Sequence, residues 1–594
     1  LASNDVWKYL KTNAYLAELG TSMDSIDNEV RKNEIIWELI ASRPLLISVH
    51  EVRKHEYDYL YVIDLQKAAQ FQFIKDYIDQ LTDDETQVLS RDYRGTELIE
   101  IRFTDSPLRL YMTISENLLI LSTTHTLVEQ SIDQKNEPVI ARDLDFIDIS
   151  RHMDSDRPTF YLQSRYFYQF LQQWMTEEES SMLNFLKATS YSSFNIKLEE
   201  DHVALKGLSN LIDSDSSLLQ AIQQSGAGTA LVPVIAPANT SFFMSLCFDD
   251  SKTFYENISL SIKQSSEGQS YEEQKEKLEK FLDIDIEKHF LSWIDGEISL
   301  LQLEGSSSNE AYALAIRHRG MDETKENLAY VKERIRKKTP VKFRDVAYKD
   351  HTISFLSIKG FFKMLFGKTF EKVEKPYYTI IDDYVVFSNS PQTLGIIISN
   401  YVDGTTLDNS KAFADYMDHF DDESTLLLYI NSRQLLEDSQ KYLDEEAQQT
   451  LANHKKYIER FPMIGLQFKP KKDLLAHQLV FEYMDEIKQN AWNKLLAGKL
   501  EQPSLIVEAS ESEESIAIED ILPEDLNDDT MEGHYPNGQL KFEVPLKNGQ
   551  KHGRYREYDS LGNLIIKGRF KHDQKYGIWK YYDQAGDVIR KEKY

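Results

Sequence analysis

The chain has 594 residues, 41% of them apolar and 11% aromatic, enough for several buried cores, and length alone suggests three or four domains. A formal net charge of -30 excludes nucleic acid as a general partner, because binding phosphates needs a positive surface. The single cysteine, Cys247, excludes an intrachain disulfide and a cysteine metal cage.

The first patterns are helical. Asp5 to Leu19 places Trp7, Leu10, Leu16 and Leu19 at helical spacing behind a Ser3/Asn4/Asp5 capping cluster, and Met23 to Ile40 continues in the same manner. The chain opens at Leu1 and not at Met, which gives the expectation of a processed or truncated chain whose signal or anchor lay upstream. Strands are expected at Pro44 to Val49 and Tyr57 to Leu65, a helix from Lys67 to Leu81, then strands at Leu98 to Phe103, Leu108 to Ile114 and Asn117 to Leu121. A helix at Thr124 to Ile132, a strand at Thr159 to Gln163 running into a helix at Ser164 to Met175, and a hairpin over Ser193 to Leu208 complete the group. Ser225 to Gly228 and Pro233 to Pro237 then punctuate the chain as a boundary.

Beyond that boundary the order of elements begins again. Tyr111 to Leu127 aligns on Tyr378 to Leu394 at an offset of 267, Tyr161 to Arg165 on Tyr429 to Arg433 at 268, and Tyr59 to Ile63 on Tyr312 to Ile316 at 253. The reading is an α+β body of two tandemly duplicated halves, residues 1–215 and 236–492, with mainly antiparallel sheets. An acidic connector, 493–530, follows; Pro503 to Val507 and Ser515 to Ile521 could pair as a hairpin, and Leu522 to Thr530 reads as a linker. Residues 531–594 form a small all-β repeat of stacked hairpins.

Chemical motifs fail on spacing. His50 to His55 has one residue too many for a zinc-protease helix, Phe362 stands where a phosphate loop ending in Gly367-Lys368-Thr369 needs glycine, and Asp143/Asp145/Asp148 and Asp283/Asp285/Glu287 lack the glycine and terminal glutamate of a calcium loop. No residue set implies a metal or a cofactor. Phe361 to Phe366, with Lys359, Lys363, Lys368 and Lys372, reads as a core helix or as a segment dipping into a bilayer.

The C-terminal repeat has a period of 24 residues: Gly538, Gly562 and Gly586 recur, as do Gly553 and Gly577, Tyr555 and Trp579, and Tyr558 and Tyr582. Residues 531–594 carry 13 Lys and Arg against 8 acids, while residues 501–530 carry 11 acids and no base. The basic residues recur too, Lys547 with Lys571, Lys551 with Lys575 and Arg556 with Lys580, and with Trp579 and Tyr581 they form the expected partner-binding set.

With His552-Gly553 and Tyr576-Gly577 preceding an aromatic, these repeats resemble the bacterial MORN-variant, antitoxin-component-like repeat, which implies a binding or spacing module near lipid or protein. In the body, Pro237 to Ser241 leading into an apolar strand, and the later Phe290, Trp293, Gly296 and Glu297, resemble a Bacteroidetes-type family of unknown function, membrane-anchored and extracytoplasmic. The two resemblances imply a non-enzymatic component on the periplasmic side of the cell envelope, held by an N-terminal segment and docking an envelope protein or an anionic membrane surface through its basic repeats. The alternative is an enzyme or inhibitor-like factor with a ligand site in the cleft between the halves.

Overall fold

Alternating and near-continuous apolar runs become strands throughout. The computed structural model describes residues 5–10 and 12; residues 43–496 except 54–55, 67–75, 77–85, 105–106, 108, 135–139, 154–156, 173–187, 213–217, 265–267, 304–310, 339–344, 357, 375 and 434–444; residues 516–517; and residues 529–594 except 536–538, 548–549 and 584–587. Most of the two N-terminal helices, the Lys67 to Leu81 helix and the connector hairpin lie outside the described residues.

After helix α1 (Asp5–Leu10) the first half runs through β1 (Leu45–Arg53), β2 (Glu56–Asp64), β3 (Thr86–Tyr93), β4 (Thr96–Phe103), β5 (Arg109–Ser115), β6 (Leu118–Ser122), α2 (His125–Asp133), α3 (Leu144–Arg151), β7 (Thr159–Gln163), α4 (Ser164–Gln172), β8 (Thr189–Leu198) and β9 (His202–Leu211). A short helix, α5 (Leu218–Gln223), leads to the second half. That half runs through β10 (Thr240–Cys247), α6 (Ser251–Gln264), α7 (Gly268–Leu282), β11 (Ile294–Leu303), β12 (Tyr312–His318), α8 (Met321–Lys338), β13 (Val346–Tyr348), β14 (His351–Phe355), β15 (Ile358–Lys359), α9 (Phe361–Phe366), β16 (Tyr377–Ile381) and β17 (Tyr384–Ser388). It closes with α10 (Pro391–Asp403), α11 (Lys411–Met417), β18 (Leu426–Asn431), α12 (Glu445–Ile458), β19 (Met463–Lys471), β20 (Leu474–Glu482) and α13 (Glu486–Leu496). In the connector, β21 (Ile516–Ala517) pairs in parallel with β15.

Among the described residues the body forms two large antiparallel sheets. One has six strands in the order β1-β2-β6-β5-β4-β3; the other has thirteen, in the order β13-β14-β16-β17-β12-β11-β10-β18-β19-β20-β9-β8-β7. The first half reproduces the strand order of the second apart from β10 and β15: β3-β4-β5-β6-β2-β1 follows the order of β13-β14-β16-β17-β12-β11, and β7-β8-β9 that of β18-β19-β20. Register agrees as well. Ile47 faces Tyr61 as Leu300 faces Leu314, Tyr61 faces Leu121 as Leu314 faces Phe387, and Ile99 faces Met112 as Ser354 faces Tyr378. Further along, Tyr161 faces Ser193 as Tyr429 faces Gly465, and Ser193 faces Leu208 as Gly465 faces Val480. The turns repeat their backbone too: Arg94-Gly95 and Lys349-Asp350 all have positive φ, as do Glu116 and Asp382.

One alignment needs correction. Tyr111 faces Ser122 as Tyr377 faces Ser388, so the counterpart of Tyr111 is Tyr377 and not Tyr378. A one-residue slip in a strand exchanges its faces, and the corrected alignment pairs the fully buried Thr113 with Thr379 and Ser122 with Ser388.

The two halves meet edge to edge, β9 against β20, with Lys206 opposite Gln478. By the registers above these are equivalent positions, so a local two-fold axis normal to the sheet passes between them. The second half is covered on both faces. Leu314, Ile316, Val385 and Phe387 pack with α6 to α9 on one side, whereas Ala313, Ala315, Tyr384 and Val386 pack with α10, α11 and α13 on the other. Double burial is why β12 and β17 read as continuous apolar runs. Beside the axis, Gly207 leaves room for His477, whose Nε2 lies 3.0 Å from the Ser193 carbonyl oxygen. A Cβ on Gly207 would stand 1.5 Å from that oxygen. We expect Gly207→Ala to destabilise the body by about 3 kcal/mol or more, as overpacking against backbone that cannot yield does; the shift of the denaturant midpoint measures it.

Candidate functional site

The C-terminal strands are β22 (Asp529–His534), β23 (Leu540–Lys547), β24 (Gln550–Lys551), β25 (Gly553–Tyr558), β26 (Leu564–Lys571), β27 (Gln574–Tyr582) and β28 (Val588–Lys593). They form one antiparallel sheet, β22-β23-β25-β26-β27-β28, with β24 added on β23. One face is an aromatic core. Tyr555 and Trp579 meet at 5.3 Å across Gly568, Phe570 lies 5.2 Å from Trp579, and Trp579 is 6.0 Å from Tyr594. Gly568 is required there, since a Cβ would come within 2.2 Å of the Trp579 ring. Trp579 is 2% exposed, so this member of the expected partner-binding set belongs to the core.

The opposite face carries the basic residues in a different arrangement from the 24-residue ladder. Arg556 faces Lys567, Lys567 faces Lys580, and Lys580 faces Lys591, a row of four cations across β25, β26, β27 and β28. The next positions in the row, on β23 and β22, are Glu543 and Glu532. Glu543 pairs with Arg556 at 2.8 Å. Neighbouring strands are about 4.8 Å apart, so the cations succeed one another at roughly that spacing. Lys567 and Lys591 were hidden from the sequence because the period aligns them with Glu543; moreover, a bulge between Lys567 and Arg569 moves Lys567 opposite Lys580. Without the bulge the register of the hairpin turn would put Lys567 opposite Ile578.

Other members of the expected set are placed elsewhere. Lys551 lies over the Phe570 ring at 5.4 Å and Lys575 over Trp579 at 4.3 Å and Tyr594 at 4.6 Å, so both serve the aromatic face. Lys571 is exposed, 5.5 Å over Tyr576. Tyr581 donates to Glu592 at 2.7 Å and lies under Arg590. Lys547 falls opposite Gln550 in register, and its side chain lies outside the described residues.

A second polar cluster lies at the end of the β9–β20 ladder. His202 bonds Asp201 at 2.8 Å, its ring lies 4.0 Å from that of His419, and His419 Nε2 is 3.4 Å from Glu482 Oε2. Burial, reinforced by Asp201, pushes the Glu482 carboxyl up to about 7, and burial with His202 nearby lowers His419. Both shifts favour the neutral forms of the two groups; Glu482 Oε2 has no hydrogen-bond partner. Beside it opens a cleft of about 420 Å³ lined by Lys8, Tyr9, Glu200, Asp201, Tyr483, Asp485 and Lys488. This cleft lies at the end of the closed β9–β20 ladder between the halves. No cluster of three or more metal-ligating side chains occurs among the described residues.

The remaining sequence candidates are structural. Phe361, Phe362, Met364, Leu365 and Phe366 are buried in the core, while Lys359 and Lys363 pair with Glu374 and Glu371. Asp143 caps α3, Asp285 accepts from the Lys288 amide, Asp283 pairs with Arg334, and His50 bonds Ser48 on β1; His55 lies outside the described residues. Glu297 is fully buried. It accepts from the amides of Leu231 and Val232, from Ser299 at 2.7 Å and from the Tyr384 hydroxyl, pinning the segment that enters β10.

A family model described as a protein of unknown function, DUF3352, matches residues 40–354, more than half of the 594. The chain belongs to the DUF3352 family. The DUF3352 match begins just before β1, crosses the boundary between the halves and ends within β14, so the basic sheet lies outside it. No curated protein and no solved structure matches the chain.

The titrating groups of β20 give a signed pH dependence. Glu482 binds its proton more tightly in the folded state, so its contribution to stability is full below its ordinary 4.5 and is lost as pH rises through about 7. His477 acts the other way: burial holds it down to about 4, and its contribution is full above 6.5 and lost as pH falls through about 4. We expect Glu482→Gln to leave stability at low pH unchanged and to raise it at pH about 8 by roughly 2 kcal/mol, after discounting for solvent that reaches the carboxyl. Denaturant titrations at the two pH values read the difference.

Proposed function

We propose that this DUF3352 chain is a binding component of the cell envelope, on its periplasmic side, that docks on an anionic membrane surface through the row Arg556–Lys567–Lys580–Lys591. The observation that carries this reading is the row itself. Like charges placed directly opposite one another destabilise a sheet, and this sheet sets four cations opposite one another in succession on the face it does not use for its core. An anionic surface relieves that repulsion. Tyr576 and Ile578, 52% and 44% exposed, lie on the same face of β27 as Lys580, the combination of cation and apolar group that suits a headgroup boundary. The likeness of the repeats to MORN-variant repeats, and of the body to membrane-anchored extracytoplasmic proteins of Bacteroidetes type, supports the same placement. The aromatic core explains why the sheet holds its shape while it does so.

The test is cosedimentation with vesicles containing about one-third phosphatidylglycerol, against pure phosphatidylcholine. The parent chain is expected to bind the anionic vesicles at about 0.1 M salt and to be released near 1 M, where the Debye length has shrunk to roughly 3 Å. At roughly 1 kcal/mol per cation near the surface, the triple variant Lys567→Ala, Lys580→Ala, Lys591→Ala should lose on the order of a hundredfold in affinity. Equal binding of parent and variant, or capture by an acidic envelope protein with no binding to vesicles, would defeat the lipid reading.

A further inference from the structure

In the second half, β10 lies between β11 and β18 and pairs with both in antiparallel fashion. It is what joins the outer strands of that half to the central hairpin. The counterparts of β11 and β18 are β1 and β7, and each of these is the last strand of its sheet. Among the described residues the first half repeats the other strands of that sheet, so between β1 and β7 one place stands open.

The exposure of the side chains marks the same place. Leu45 and Ile47 of β1 are 50% and 51% exposed, whereas their counterparts Ile298 and Leu300 of β11 are 0% and 5% exposed. Leu46 and Val49 are likewise exposed, as is Phe160 on β7. Long apolar edge strands left bare are sites for adding a strand. Tyr57 of β2 packs 5.2 Å from Phe170 of α4, the helix that follows β7, so the two edges lie on one side of the body.

Helix α1 indicates which strand belongs there. In the second half β10 leads into α6 only four residues after its end, and Leu211 packs into the apolar cluster that holds Phe254 and Ile258 of α6. In the first half Tyr9 of α1 lies 5.7 Å from Tyr483, the counterpart of Leu211, and Val6 is fully buried. So α1 occupies, across the local two-fold axis, the place of α6. We propose that the open place between β1 and β7 is a binding site for one extended apolar strand, the counterpart of β10, supplied by the stretch of the natural polypeptide that leads into α1 from upstream of Leu1. Bound there, it joins the six-stranded and the thirteen-stranded sheets into one.

Hydrogen exchange tests this on two forms of the protein, one beginning at Leu1 and one carrying its natural upstream residues. The outward-facing amides of β1 and β7 should exchange roughly tenfold or more slowly in the longer form, as amides gaining ladder hydrogen bonds do, with no dependence on protein concentration. Equal exchange in the two forms would overturn the proposal. So would protection that appears in the form beginning at Leu1 as its concentration rises, because the strand would then come from a second copy.

Discussion

The main-chain ladder between β9 and β20 is the constraint on which the body depends. Nine residue pairs, from Leu474–Asn210 to Glu482–His202, tie the last strand of one half to the last strand of the other. The ladder is reinforced at both ends, by the Tyr483 amide donating to the Asp201 carbonyl at 2.6 Å and by Gln223 donating to the Lys472 carbonyl at 3.0 Å. Remove it and each half presents a central strand as a bare edge, which a sheet of this length tolerates badly. His477 shows how closely the junction is fitted: its buried ring joins β8 to β20 through Ser193 and reaches Ser209 at 3.0 Å on β9, so one imidazole touches three strands.

Much of this was legible in the amino acids, and the exceptions have physical causes. The period-2 runs of the first half gave β4 to β9, and the recurrence of Tyr161 to Arg165 at Tyr429 to Arg433 marks the strand-to-helix step that both halves share. The Tyr111 block was placed one residue out because Tyr377 and Tyr378 are adjacent and similar, and the strand register, together with the positive-φ turn residues Glu116 and Asp382, decides between them. That β7, β8 and β9 would join the second half in one thirteen-stranded sheet was not readable at all, since edge pairing is a long-range event that leaves little trace in local pattern.

The basic surface was half legible for a related reason. A 24-residue period compares each strand with the one two places away, so it lines up Arg556 with Lys580 and passes over the strand between them. The residues facing one another across the sheet are fixed instead by the His572-Asp573 turn, where both residues have positive φ, and by the bulge that follows it. Residues singled out for family resemblance, Phe290, Trp293 and Glu297, are deeply buried, and Glu297 seats the segment that enters β10.

The equivalence of Lys206 and Gln478 has a consequence for origin. An edge that pairs with its own counterpart about a two-fold axis is self-complementary, so a polypeptide made of one half alone would find in another copy of itself the partner that the second half now supplies. The body thus has the form of a symmetric homodimer whose subunits have been fused head to tail, with Ser225 to Pro237 as the tether between them.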